Sequence, residues 1–103
     1  MHFRKQLYIG EGIKTNKVER LIKKLKFKPQ SAHVVVITIA GNPTDQLDII
    51  ESSELKKHYY KTYPPYIVGL AKDRSDAFAL VERMVNDCLH ARGDIKLKEY
   101  LLC

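Results

Sequence analysis

Four cations, Arg20, Lys23, Lys24 and Lys26, fall within seven residues of one another where apolar side chains recur at helical spacing. At roughly 100° per residue, Val18, Leu21, Ile22 and Leu25 gather on one arc and the four cations take the far side. A stripe of this kind neutralises phosphates on DNA or RNA and gives sequence-independent, salt-sensitive binding. The same pattern also serves any amphipathic surface helix, because lysine is a good helix former with a well-solvated head. Phe27 divides the two readings. A helix running through Phe27 would set its ring amid the basic face, where it can stack on a base. Unwinding of the last turn ahead of Pro29 would instead fold the ring into the core, and this is the expectation, since a lone exposed Phe has no stabilising partner.

The segment Lys56-Lys57-His58-Tyr59-Tyr60-Lys61-Thr62-Tyr63-Pro64-Pro65-Tyr66 holds four of the six tyrosines interleaved with bases. Rings that stack and cations that track phosphate make single-strand binding surfaces. Helical spacing puts Tyr59 and Tyr63 with Leu55 in the core and leaves Tyr60, flanked by Lys56, Lys57 and Lys61, exposed. Tyrosine also favours protein interfaces, which makes Tyr60, Tyr63 and Tyr66 candidates for a subunit contact.

Gly10-Glu11-Gly12 lies between a strand and a helix, a place where backbone N–H groups can hold phosphate. The pattern is incomplete: Thr15 stands where the dinucleotide fingerprint has its last glycine, and no Walker lysine follows. A loop that merely turns the chain is the expected reading. Metal and catalytic patterns are weaker still. His2, His33, His58 and His90 are scattered, Cys88 and Cys103 are fifteen residues apart, and no pair has zinc-site spacing. Asp45, Asp48, Glu51 and Glu54 read as solvated carboxylates, with Asp48 and Glu51 on opposite faces of a strand. Cys88 reads as a small buried hydrophobe and Cys103 as a free terminal thiol. No catalytic, cofactor-binding or metal-ligating residue is proposed by the linear order.

The elements that carry these residues follow from periodicity. Leu7 and Ile9 alternate within Gln6 to Ile9, which suits a strand. Asn16, with Glu19 three residues on, caps the first helix, which Pro29 stops. His33 to Ala40 is β-branched without alternation, so it should be a central strand covered on both faces. Gly41-Asn42-Pro43-Thr44-Asp45 turns the chain into a third strand, Gln46 to Glu51, as an antiparallel hairpin. Ser52 or Ser53 caps a helix that ends at Pro64-Pro65, and Tyr66 to Ala71 is a fourth strand. Ser75 caps the longest helix, Asp76 to about Arg92, with Ala77, Leu80, Val81, Met84, Val85, Cys88 and Ala91 on its apolar arc and Gly93 as its stop. Asp94 caps a last helical turn with Leu97, Tyr100 and Leu101 facing inward.

The order is β-α-β-β-α-β-α plus that terminal turn. The preferred fold is α/β, a small mixed four-stranded sheet with helices on both faces, since the second and fourth strands are the most apolar and should be central. The alternative is a ferredoxin-like α+β sandwich with an added C-terminal helix, which would put the first and third strands in the middle.

At 103 residues and 45% hydrophobic composition the chain can bury a core without disulfide or metal staples and is expected to be one domain spanning residues 1–103. The longest apolar run, Val34 to Ala40, is far short of the roughly 20 residues that span a bilayer, and no signal-peptide pattern stands at the N-terminus. A cytoplasmic protein without membrane contact is expected. The net charge of +6 conceals a division. Residues 1–32 carry nine Lys or Arg against two acids, whereas the remainder carries nine against ten. The leading expectation is therefore a small binding or accessory module that meets nucleic acid or another polyanion through Arg20, Lys23, Lys24, Lys26, Lys56, Lys57, Tyr60 and Lys61. The rival is a homo-oligomeric interaction module using Tyr60, Tyr63 and Tyr66. A third class, an enzyme, would need a pocket near Gly10 to Gly12 or Gly41 to Asp45.

Overall fold

The computed structural model describes residues 1–102. Cys103, expected to be a free thiol, lies outside the described residues. In chain order the elements are β1 (His2–Ile9), α1 (Val18–Phe27), β2 (Val35–Ile39), β3 (Leu47–Glu51), α2 (His58–Thr62), β4 (Tyr66–Ala71), α3 (Arg74–Arg92) and α4 (Leu97–Leu102), with 3-10 turns at Thr15–Lys17, Pro29–Ser31 and Ser52–Lys56. The four strands form one sheet in the order β1-β4-β2-β3, in which β1 runs parallel to β4 and the other neighbours are antiparallel. The two most apolar strands, β2 and β4, are thus the central ones, as their composition requires. The ferredoxin-like alternative fails on this order, because β1 and β3 are the edges.

Two apolar layers enclose the sheet. On one face Val35, Ile37 and Val68 meet Ala77, Leu80, Met84 and Cys88 of α3 and Leu97 and Leu101 of α4. On the other, Val36, Ile67 and Leu70 meet Leu25 of α1 and Leu55, with Leu21, Ile22 and Tyr60 packed at the margin. Because adjacent strand residues point to opposite faces, the continuous apolar run of β2 supplies both layers at once. α3 ends as its sequence dictates, with Gly93 in the left-handed region (φ 79°) donating to the Leu89 carbonyl. Ala91, assigned to its apolar arc, is exposed at this last turn. Asp94 starts α4 by accepting from the Lys96 N–H (3.1 Å), and the Arg92 guanidinium beside it holds its carboxyl below the usual carboxylate range.

Local details differ from expectation where tertiary pairing outcompetes local pattern. β1 begins at His2, four residues early, because His2 and Phe3 pair with Tyr66 and Ile67. Asn16 sits inside a 3-10 turn and does not cap α1, whose cap position is Lys17. Ser52 caps no helix either: its N–H donates to the Val34 carbonyl (2.8 Å) and its Oγ accepts from the Val34 N–H (3.2 Å), prolonging the β2–β3 ladder by one step. Asp73, not Ser75, caps α3, with its carboxylate accepting from the Asp76 N–H at 2.8 Å. The expected β2–β3 hairpin is present, and Asn42 closes its turn by accepting from Thr44 and Asp45 N–H groups.

Two separate core layers imply two separate costs. Leu25→Ala and Met84→Ala, one on each face, should each lower unfolding free energy by about 2–5 kcal/mol, read as a shift in urea midpoint. A near-zero loss for either variant would mean that its face of the sheet is not a packed layer.

Candidate anion-binding site

The basic helix face forms as its periodicity predicts. Leu25 is fully buried, Val18, Leu21 and Ile22 are half-buried, and Arg20, Lys23 and Lys26 are exposed, with Lys24 half-buried. The fate of Phe27 reverses the expectation. Pro29 forces only Lys28 out of helical geometry (φ −150°, ψ 68°), and the Lys28 N–H still donates to the Lys24 carbonyl at 2.7 Å. The last turn therefore stays intact through Phe27, and its ring projects outward at 83% exposure.

The tyrosine segment also rearranges. A single helix from Ser52 would have carried Leu55, Tyr59 and Tyr63 inward together. Instead the chain makes a 3-10 turn, becomes extended at Lys57 (ψ 148°), and restarts as α2. The interruption resets the rotational phase, so Leu55 and Tyr60 turn inward, while Tyr59 and Tyr63 stand 55% and 66% exposed. Tyr60 is thus the anchor and its two neighbours the exposed rings, the opposite of the helical assignment. Burial first, and then the negative charges of Asp48 and Glu54, push the Tyr60 phenol upward, so the group stays neutral. Lys57 pairs with Glu54 at 3.2 Å on the surface, an arrangement worth about 0–1 kcal/mol.

These two segments, some thirty residues apart in sequence, meet at one open groove of about 500 Å³. Lys26 and Phe27 from the end of α1 form one wall, and Lys56, Tyr60 and Lys61 the other. The Lys26 Nζ lies 5.7 Å from the centre of the Phe3 ring, a cation–π contact that orders the ammonium without consuming its charge. Arg20 and Lys23 stay on the helix surface outside the groove lining, as do Lys24 and Lys57. The three proposed interface tyrosines, Tyr60, Tyr63 and Tyr66, all line a different, smaller cleft of about 270 Å³ beside Tyr59 and Asp48, with Tyr60 shared between this cleft and the groove.

The Gly10–Gly12 turn is already filled. Asp76 Oδ2 accepts from the Gly12 N–H (3.2 Å) and the Lys72 N–H (2.9 Å), so a carboxylate from the first turn of α3 occupies the position an external anion would take. A Cβ at Gly10 would overlap that carboxylate, and one at Gly12 would lie 2.9 Å from Asp76 Oδ2. The absence of side chains at the two glycines is what permits this close approach. Among the described residues no three His, Cys, Asp or Glu side chains gather as metal ligands, and no helix is long and apolar enough to cross a membrane.

No family model matches the chain, and neither curated proteins nor solved structures supply a relative.

Asp76→Ala would strip two backbone donors of a charged acceptor. It should cost about 1–3 kcal/mol in chemical denaturation, with the fold retained by circular dichroism. An unchanged midpoint would mean that the loop does not depend on the carboxylate.

Proposed function

We propose that this chain is a small binding module for single-stranded nucleic acid, held in the groove between the end of α1 and the Lys56–Lys61 segment. The observation that carries this reading is the convergence of two sequence-distant basic segments on a groove whose wall bears Phe27, the most exposed of the large apolar side chains. Lys26, Lys56 and Lys61 contact phosphates, and the Phe27 ring stacks on an unpaired base. A duplex keeps its bases stacked on one another, so the ring selects single strands. Arg20, Lys23 and Lys24 extend the favourable field along the helix beyond the groove.

The two kinds of contact respond differently to salt. Fluorescence anisotropy with a labelled single strand should give a log–log salt slope of about −2 if three phosphates are neutralised. Lys26→Glu combined with Lys61→Glu should weaken binding and flatten the slope. Phe27→Ala should cost about 1–3 kcal/mol and leave the slope unchanged. Salt-independent binding, or full affinity in both variants, would remove the groove from consideration.

A second reading rests on a separate observation, the exposed Tyr59–Tyr63 pair, whose ring centres lie 5.3 Å apart beside the cleft lined by Tyr66, Pro64 and Pro65. Paired exposed tyrosines suit a subunit interface, and the chain would then be a homo-oligomeric interaction module. Under this reading light scattering finds a dimer or larger species that Tyr59→Ser with Tyr63→Ser converts to monomer. A monomer at every accessible concentration ends it.

A further inference from the structure

On the opposite side of the sheet from the basic groove, side chains from three elements meet in a cleft of about 450 Å³: Arg4 and Tyr8 of β1, Arg83 and Asp87 of α3, and Tyr100 of α4. The Tyr8 hydroxyl donates to Asp87 Oδ2 at 2.6 Å. Its single proton is thereby used, so in the 3.3 Å contact between the two phenols Tyr100 is the donor. Burial first, and then the hydrogen bond it donates to the Asp87 carboxylate, push the Tyr8 phenol far above its ordinary range, and it remains a neutral donor at any physiological pH.

The Asp87 carboxylate, engaged by Tyr8, forms no ion pair with Arg83 one helical turn away. Among the described residues neither Arg83 nor Arg4 has a carboxylate partner. Both guanidinium groups are nevertheless held. Arg83 Nη1 donates to the Ile9 carbonyl (3.1 Å), while Arg4 donates through Nε to the Leu101 carbonyl (3.0 Å) and through Nη1 to the Gln6 carbonyl. Arg4 also lies 5.7 Å and 6.0 Å from the Tyr8 and Tyr100 ring centres. Among the described residues each planar fork is oriented by neutral acceptors and keeps unused N–H donors, which is the condition for receiving an oxyanion with little ordering cost.

We infer that this cleft is a second binding site, one that takes a small molecule through a carboxylate or phosphate group held by Arg83 and Arg4. The Asp87 charge in the same wall disfavours a polyanion that would have to run past it, so the occupant is small, and the site is independent of the groove at α1.

Amide and arginine side-chain NMR spectra of the full chain, recorded during separate titrations with inorganic phosphate and with acetate, test this inference. At least one anion should produce saturable shifts centred on Arg4, Tyr8, Arg83 and Tyr100, with a dissociation constant of about 1 mM or tighter. Which anion does so distinguishes a phosphate ligand from a carboxylate ligand. Arg83→Gln, at an exposed helix position, should weaken it by about tenfold or more, Arg83→Lys should restore part of the loss, and Lys26→Glu should have no effect. Absence of saturation with both anions, shifts unchanged in Arg83→Gln, or shifts centred on the lysines of α1 would each overturn the assignment.

Discussion

β4 is the element on which the other parts depend, because it lies between a parallel and an antiparallel neighbour and is buried on both faces. Its Gly69 carries a specific consequence. A Cβ there would sit 2.9 Å from Met84 Cε and 3.1 Å from Leu80 Cδ2, so the missing side chain is what lets α3 lie directly against the strand. That close approach brings Asp76 within reach of the Gly12 amide and sets Arg83 and Asp87 opposite β1. On the other face the same strand seats Ile67 and Leu70 against the layer that supports α1 and Tyr60. Both candidate sites are therefore margins of packed layers, formed where an edge of the sheet runs out from under its helices.

The charge of the N-terminal third acquires a more definite meaning in this frame. α1 connects an edge strand to a central strand and covers one face, so its polar side looks outward along its whole length. Only its last turn meets another cationic segment. The groove exists because the chain interrupts itself at Lys57 and turns Tyr60 inward as a peg, which brings Lys56 and Lys61 to the opposite wall. The cations near the end of α1 also complement the negative pole of the helix, so their placement stabilises the helix whose end they decorate.

Much of the architecture was legible in the residues. The β-branched run of β2 and the apolar run of β4 marked the central strands, the helical spacing of Leu21, Ile22 and Leu25 gave the inward face of α1, and Gly93 gave the stop of α3. What escaped was governed by contacts between segments distant in sequence. Ser52 reads as a helix cap locally and serves instead as a ladder partner of Val34. The phases of Tyr59, Tyr60 and Tyr63 depended on one extended residue at Lys57 that no periodicity announces. Energetic grounds point Phe27 inward, but a proline constrains only its immediate predecessor, and the last turn of α1 stays helical through Phe27. The Arg4, Tyr8, Asp87 and Tyr100 cluster was invisible because its members are joined by bonds spanning most of the chain. The one hint was the alternation of Tyr8 with the apolar Leu7 and Ile9.

The register of β1 against β4 is irregular: the five steps from Phe3 to Tyr8 along β1 are matched by only two, from Ile67 to Gly69, along β4. The surplus residues include the exposed Lys5 and Gln6, so this margin of the sheet presents a bent, charged rim in place of a straight row of free amides and carbonyls. At the far margin β3 is five residues long and carries Asp48 and Glu51. Bends, short length and charged side chains at a sheet edge disfavour pairing with a further strand, so both rims work against edge-to-edge polymerisation.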